Sequence, residues 1–246
     1  NPKENICGNC LDVGFPLLVK DISSDNRYID TVDRLLNLKI NSIICIPIKV
    51  DGEINGIIEL ANAEGKRNLD EDDIEIVNII ANFTMRTFEN AKLFLWAISD
   101  SLTKLYNIHY FKKNLESEIR RINRYKSTPF SIILIDIDNF KGVNDNYGHQ
   151  IGDKVLSSFG GLIRSTIREN IDIAARYGGD EFILLLPNTD LKGAYTLSER
   201  IVKKWKDVFI TSDEGDNVIT TLSVGVALFS ENQTMEEIIN NADDAL

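Results

Sequence analysis

Two short acidic clusters are the residues of this chain best suited to chemistry. Asp136 and Asp138 close the apolar run 130–137, and Asp180-Glu181 directly follows Gly178-Gly179 between two further apolar runs. Ligands of α/β sheets bind at strand ends, and a Gly-Gly pair between strands predicts a tight hairpin tip. If the hairpin lies beside the first strand, the carboxylates come together and repel each other unless a cation separates them. Such hard oxygen ligands select Mg²⁺ or Mn²⁺, which predicts a divalent-metal site for nucleotide phosphates.

Each cluster alone is explained equally well by ordinary solvated turns, because turns favour Asp and Gly. The two clusters together favour a site, and the segment that follows the first one adds to this interpretation. Residues 139–149, which we predict to be a loop, contain a lysine, several amides and two glycines ahead of a helix that begins near Gly152-Asp153. Such groups can contact phosphate and the edge of a base.

The elements that must position these clusters alternate between strand and helix. The sequence predicts strands at 130–137, 171–177, 182–186 and 218–229, and helices at 152–168, at 191–209 and from Thr234 onward. This order predicts an α/β domain whose central mixed sheet is covered by helices.

The first third of the chain predicts a smaller antiparallel sheet. Residues 15–19 are strand-like, and the apolar runs 43–50 and 54–60 flank Asp51-Gly52, a hairpin turn pair. From Ile74 to about Ser99 neither proline nor glycine occurs and apolar residues recur at helical spacing, so we expect one long connecting helix.

One seam along this helix keeps the alternating four-and-three spacing of a coiled coil. Its members are Ile76, Ile80, Phe83, Thr87, Asn90, Phe94 and Ala97. Over so few heptads, a coiled coil and a helix packed on its own domain are equally good explanations of the pattern.

The composition limits the classes of function. The chain has 246 residues, of which 43% are hydrophobic, which is enough for about two cores of ordinary size. Its formal net charge of −11 disfavours nucleic acid and anionic membrane surfaces as partners. No apolar run approaches the length of a membrane-spanning helix and no leader is visible at Asn1, so we expect a reducing, cytoplasmic location.

The cysteines and histidines offer little for a metal site at this stage. Cys7 and Cys10 form a C-x-x-C, a spacing found in redox pairs and in halves of zinc sites, but no second cysteine pair follows and Cys45 lies within an apolar run. Core thiols are the favoured interpretation. Because His109 and His149 are the only histidines, metal chemistry must depend on carboxylates.

The segment Arg176–Phe182, which reads Arg-Tyr-Gly-Gly-Asp-Glu-Phe, resembles the signature of the GGDEF family, the diguanylate cyclases. The chain carries further motifs of the family, in the order in which the family has them: Asp100–Asn107, Asp136–Lys141, Asn144-Asp145, Gly148-His149, Gly152-Asp153, Leu222–Ala227 and Ala242-Asp243. The resemblance spans nearly all of residues 100–246.

This resemblance implies roles for individual residues. The Mg²⁺ (or Mn²⁺) ligands would be Asp136, the carbonyl of Ile137, Asp180 and Glu181. Asp180 and Glu181 are also expected to be catalytic, with Asp180 accepting the proton of the attacking 3′-hydroxyl. Lys141 would stabilise the transition state. The substrate-binding positions are Asn144, His149 and Asp153, of which Asn144 and Asp153 would bind guanine.

The amino-terminal third resembles the second half of a GAF domain, a small-molecule sensor module. The matching segments are Gly14–Leu17 with Asp21, then Ser42–Ile48, Gly56–Asn62 and Asn90–Leu93. A cyclic nucleotide is the ligand class that the family suggests. Asn62 fits the start of an asparagine-lysine motif, but Ala63 stands where lysine is expected.

Three departures from the GGDEF pattern matter. Glu169 occupies the arginine position of the product-inhibition R-x-x-D that ends at Asp172, which predicts weak or absent feedback, with Arg168 as a partial substitute. Ile108 stands where arginine usually follows Asn107, which predicts a local packing change. The chain ends at Leu246, before the helix whose basic residues hold the β- and γ-phosphates in this family.

The sequence therefore predicts part of a GAF domain at 1–88, a helical linker at 89–99 and a GGDEF domain at 100–246. The expected function is condensation of two GTP molecules into cyclic di-GMP by a homodimer that a GAF ligand regulates. One alternative is a degenerate domain that serves as a receptor for GTP or cyclic di-GMP. Another is an interaction protein built around the long helix.

Overall fold

The computed structural model describes residues 5–28, 39–50, 52–63, 65–126, 128–212 and 215–246. The chain forms two compact units, Asn1–Phe94 and Leu95–Leu246. Among the described residues, no helix combines the length and the apolar character that crossing a membrane requires.

The first unit is built on a three-stranded antiparallel sheet of order β1-β2-β3. Its elements are α1 (Ile6–Val13), β1 (Leu17–Val19), a 3₁₀ turn (Ile22–Ser24), β2 (Ile40–Val50), β3 (Glu53–Ala63) and the start of α2 (Glu71–Ile98). The predicted β2–β3 hairpin is confirmed. Gly52 at its turn has φ +85, a conformation that favours glycine, while Asp51 lies outside the described residues.

Alternate residues of β2 supply two apolar layers, because successive side chains of a strand point to opposite faces. Ile43 and Cys45 pack with Cys10 of α1, whereas Ile44 and Ile46 pack with Val77 of α2. The long helix predicted from Ile74 is confirmed as α2, with its buried face formed by Asp73, Val77 and Ala81.

The second unit holds a five-stranded mixed sheet of order β10-β5-β7-β6-β4, in which β4 and β6 are parallel and the other neighbours antiparallel. Its elements are β4 (Tyr106–Asn107), α3 (Ile108–Tyr125), β5 (Ser131–Ile137), α4 (Phe140–Tyr147), α5 (His149–Arg164), β6 (Ile173–Arg176), β7 (Glu181–Leu186), α6 (Leu191–Trp205), β8 (Ile210–Thr211), β9 (Asn217–Val218), β10 (Leu222–Leu228) and α7 (Met235–Asp243). The predicted mixed sheet covered by helices is confirmed.

Strand β5 lies inside this sheet and is buried on both faces. Ile133 and Ile135 contribute to a core with Phe159 of α5, and Ile132 and Leu134 contribute to a core with Leu115 of α3. A strand covered on both faces needs apolar residues on both, which explains why Ile132–Ile135 form an unbroken apolar run before Asp136.

Two predictions of local structure are wrong. Residues 139–149 are not a loop, because they contain the two-turn helix α4, which packs Phe140 and Val143 against the core. The segment 218–229 is not one strand. Its first residue belongs to β9, which pairs with β8, residues 219–221 lie between the strands, and β10 of the main sheet begins only at Leu222. In both cases tertiary packing outweighs local composition.

Candidate active site

The two acidic clusters lie together at one edge of the main sheet. The register of β5 and β7 places Asp136 directly opposite Glu181. The backbone N–H of Ile137 donates to the carbonyl oxygen of Asp180 at 3.3 Å, so the tip of the β6–β7 hairpin lies against the end of β5. The antiparallel pairing of β5 with β7 therefore brings together the residues predicted to bind metal.

The electrostatics of this edge favour a cation. Burial raises the pKa of the Asp136 carboxyl above its ordinary value, and the negative charges of Asp180, Glu181 and Asp138 raise it further. The side chains of Asp136, Asp180 and Glu181 offer carboxylate oxygen atoms, the ligand type that Mg²⁺ and Mn²⁺ prefer. The residues present therefore fit a divalent cation.

Asp138 differs from its neighbours because its carboxylate already has partners. The hydroxyl groups of Thr221 and Ser223, which lie at the start of β10, both donate to it, the second at 2.6 Å. Asp138 therefore joins the ends of β5 and β10, while Asp136 remains available to a ligand.

Arg176 holds the hairpin tip in place, a contribution that the sequence analysis missed. Its guanidinium donates to the carbonyl oxygens of Gly178 at 3.2 Å and Gly179 at 2.6 Å, and it forms an ion pair with Asp100 at 3.4 Å. The backbone N–H of Tyr177 donates to the carbonyl of Glu181 at 2.8 Å and closes the turn. In the sequence, the arginine at the end of a strand just before Gly178-Gly179 could have indicated this role.

Asp100 lies at the start of the second unit and is part of the same network. It accepts hydrogen bonds from the backbone N–H of Thr103 at 2.8 Å and from the Thr103 hydroxyl at 2.7 Å. Burial alone would raise the pKa of Asp100, but these bonds and the Arg176 charge outweigh it and leave the pKa lowered. Asp100 is thus held as a carboxylate.

Helices α4 and α5 carry the other predicted site residues. Lys141 and Asn144 are one turn apart on α4, and His149 and Asp153 are one turn apart on α5. Lys141, His149 and Asp153 are exposed and Asn144 is half-buried. Because α4 begins three residues after β5 ends, this second group follows the acidic clusters directly along the chain.

Gly152 explains how Asn144 is positioned. A Cβ atom built at Gly152 would collide with Oδ1 of Asn144 and would lie 3.2 Å from the ring of Phe140. Only glycine therefore leaves room for the Asn144 side chain against α5, at the residue before Asp153. In the Gly152-Asp153 pair, the glycine leaves space for the Asn144 side chain and the aspartate can bind a ligand.

The region predicted for product inhibition is occupied by internal contacts. The guanidinium of Arg168 pairs with the buried carboxylate of Asp172 at 2.6 Å and also donates to the hydroxyl of Thr189 at 2.9 Å. Glu169 is exposed. Arg168 is therefore engaged within the unit, and weak feedback through this region stays a prediction.

Comparison with protein families gives two matches. The model of the GGDEF domain, described as diguanylate cyclase, matches residues 97–246, and the model of the GAF domain matches residues 1–87. The first match includes every site residue discussed above.

Individual proteins agree with these matches. Diguanylate cyclase A of Treponema denticola is 35% identical over 205 residues, which are 82% of this chain and 55% of that protein. The chain thus spans about half the length of that relative.

Among solved structures, the diguanylate cyclase SiaD of Pseudomonas aeruginosa, crystallised with its activator SiaC, is 32% identical with a TM-score of 0.59 and covers 71% of this chain and 66% of its own. The GGDEF domain of DgcB from Caulobacter crescentus, crystallised with c-di-GMP, is 28% identical with a TM-score of 0.58 and covers 61% of this chain and 87% of its own. The chain belongs to the GGDEF family of diguanylate cyclases and carries GAF-domain sequence ahead of that domain.

Proposed function

We propose that the protein is a diguanylate cyclase that converts two GTP molecules into cyclic di-GMP and two pyrophosphates. In each half-reaction the 3′-hydroxyl of one GTP attacks the α-phosphorus of the other, a P–O bond forms, and pyrophosphate leaves. The observation that supports this most strongly is the pairing of Asp136 with Glu181 beside Asp180, next to the α4–α5 helix pair.

The carboxylates of Asp136, Asp180 and Glu181 and the carbonyl of Ile137 are the groups that would hold Mg²⁺ or Mn²⁺. The ion, when bound, neutralises phosphate charge and polarises the phosphoryl group. Asp180 takes the proton of the attacking hydroxyl, and Arg176 keeps the tip that carries Asp180 fixed during this transfer. Lys141 supplies positive charge for the phosphoryl oxygens as negative charge accumulates on them.

Guanine binding is assigned to α4 and α5. The carboxylate of Asp153 can accept hydrogen bonds from the ring N–H and the amino group of guanine, two adjacent donors that adenine does not offer in the same arrangement. Asn144 packs against Gly152, the residue before Asp153, and can add both a donor and an acceptor. His149 begins α5 and contacts the substrate from the exposed side of the same group.

One catalytic unit binds one GTP, so cyclisation requires two copies that face each other. The α2 seam gives a second copy a surface to bind: Ile76, Ile80, Phe83 and Phe94 are each more than half exposed, and Thr87, Asn90 and Ala97 are exposed as well. A symmetric pair of α2 helices buries this face and brings two catalytic units to the same dimer.

The GAF sequence supports regulation by a small ligand, with a cyclic nucleotide as the family's suggestion. Asn62 is not free for that ligand, because its side-chain oxygen accepts from the Ser42 backbone N–H at 3.0 Å and its amide donates to the carbonyl of Arg67. The ligand must therefore be bound by other groups of the first unit.

The activity is tested by incubating the whole protein with GTP and Mg²⁺ and identifying products by mass spectrometry. We expect cyclic di-GMP from the wild type and from Asp216→Ala, an exposed acid at the β8–β9 hairpin. Asp180→Ala should form none while still binding GTP. Wild-type protein that binds GTP but forms no product would identify a receptor instead.

A further inference from the structure

The first unit contains a cluster of two thiols and a carboxylate that the cyclase reaction does not use. Sγ of Cys7 lies 3.6 Å from Sγ of Cys45, and the Cys7 thiol donates to Oε2 of Glu59 at 2.7 Å. Within the part of the chain that the structure describes, these three ligand atoms all lie within 4.8 Å of one another.

The fold brings these residues together from three elements. Cys45 on β2 and Glu59 on β3 are direct cross-strand partners, and Cys7 comes from α1, which packs on that face of the sheet. Their sequence separations of 38 and 52 residues explain why no local spacing motif reveals the group. The C-x-x-C contributes only its first cysteine to this cluster.

The geometry points to a site for a zinc-type transition-metal ion held by Cys7, Cys45 and Glu59. Tetrahedral zinc with bonds of about 2.3 Å to sulfur places two thiolates about 3.8 Å apart, close to the 3.6 Å between these sulfur atoms. Two thiolates and one carboxylate form a donor set for zinc or cobalt, and they do not suit Mg²⁺ or Ca²⁺. Glu59 is exposed, so solvent can occupy the fourth position.

Binding of the metal ion displaces protons from the two thiols. The ion takes the place of the hydrogen between Cys7 and Glu59, and the Cys45 thiol also deprotonates, so each ion bound releases two protons and its charge is offset by two thiolates and one carboxylate. Without an ion the thiols stay neutral: burial, with the hydrogen bond to Glu59, raises the pKa of Cys7 to about 11, and burial raises the pKa of Cys45 as well.

A disulfide between Cys7 and Cys45 explains the cluster less well. A disulfide gives Glu59 no role, although its carboxylate lies at hydrogen-bond distance from one of the two sulfur atoms.

The test is a titration of the reduced, metal-free protein with Co²⁺, followed by visible absorption and then by competition with Zn²⁺. We expect one equivalent to produce tetrahedral d–d and thiolate-to-cobalt bands, with two protons released, as measured by calorimetry in buffers of different ionisation enthalpy. Glu59→Gln should weaken Co²⁺ binding about tenfold or more. Cys7→Ser should remove the binding.

Two controls separate this site from general thiol effects. Glu53→Gln changes another exposed carboxylate on β3, and Cys10→Ala removes the buried thiol that donates to the carbonyls of Phe15 and Cys45. Both should keep the wild-type titration, with circular dichroism confirming folding. The proposal is overturned if the wild type shows no cobalt–thiolate band, if Glu59→Gln binds as tightly as wild type, or if Cys10→Ala abolishes binding while Glu59→Gln does not.

Discussion

Single residues fix the hairpin tip that carries Asp180 and Glu181, the proposed catalytic acids. Arg176 donates to two carbonyl oxygens of the tip and pairs with Asp100, which is in turn fixed by Thr103. The tip is otherwise closed by backbone bonds at its base, so without Arg176 two glycines would have wide conformational freedom. The start of the second unit and the signature hairpin are therefore parts of one structure, even though 76 residues separate Asp100 from Arg176.

The Asp100 network makes the free energy of unfolding depend on pH in the acidic range. The lowered pKa of Asp100 contributes stability that is fully present above its ordinary pKa of 3.8 and is lost as the pH falls through the lower folded-state pKa. We expect Asp100→Asn to cost roughly 1–2 kcal/mol in the free energy of unfolding at neutral pH, and less below about pH 4. Urea unfolding at a series of pH values measures the difference; a difference that is constant into acid would contradict the assignment.

Two glycines of α5 provide a matched pair of positions that tests the proposed guanine site. At Gly152 an added methyl collides with Asn144, whereas at Gly161 the nearest atom is the end of the Arg164 side chain at 4.0 Å. We expect Gly152→Ala to weaken GTP binding about tenfold, on the order of the loss of one hydrogen bond in the site. Gly161→Ala should leave binding unchanged and stabilise the helix by up to about 1 kcal/mol.

Equilibrium binding of a fluorescent GTP analogue and thermal unfolding measure both effects. Equal losses of GTP affinity in the two variants would mean that the helix as a whole, and not the position of Asn144, limits binding.

At the level of elements, the sequence predicts well what depends on continuous apolar runs. Strands β5 and β7 and helix α2 follow from such runs, and Thr234 provides the side-chain cap of α7 where the last helix is predicted. Helix α4 does not follow, because its asparagines and glycine are typical of a loop and its helical form depends on the burial of Val143.

The candidate site is likewise predicted from the sequence only in part. The acidic clusters and their meeting at a sheet edge follow from the hairpin between two apolar runs. The Arg176 network of this site depends on contacts between residues distant in sequence, which spacing does not encode. The same is true of the separate Cys7 cluster in the first unit.

The exposed face of α2 leads to a prediction about association. Phe83 lies on the seam and is 74% exposed, while Phe88 is 62% exposed and lies off the seam. A charge at Phe83 would be buried against a second copy without a partner, so Phe83→Glu should weaken dimerisation by tenfold or more, and Phe88→Glu should not. Sedimentation over a range of concentrations measures this; equal effects of the two variants would place the dimer contact elsewhere.

At the scale of the molecule, the composition predicts the amount of core better than its layout. The composition provides apolar residues for about two cores of ordinary size. In the described part of the chain these residues form four buried clusters, two in each unit. Each sheet is covered on both faces, so each unit has two apolar layers. Composition can count the folding units, but the number of layers depends on the topology.

The proposed requirement for two copies leads to a test in mixtures. If each product molecule needs two competent units, a subunit paired with Asp180→Ala forms no cyclic di-GMP. After exchange, a tenfold excess of Asp180→Ala should leave each wild-type subunit with a wild-type partner about one time in eleven, so the rate should fall to about a tenth.

The matched control for the mixing experiment adds Phe83→Glu to the Asp180→Ala chain, which should prevent pairing and leave the wild-type rate unchanged. Formation of cyclic di-GMP itself is followed by mass spectrometry, because pyrophosphate is already released in the first half-reaction. A rate unaffected by either variant would mean that one unit completes the reaction alone, and an equal fall with both would mean that the excess protein only sequesters GTP. Suppression by the single variant alone would tie the chemistry at Asp180 to pairing along α2, which links the residue, the helix and the whole molecule in one measurement.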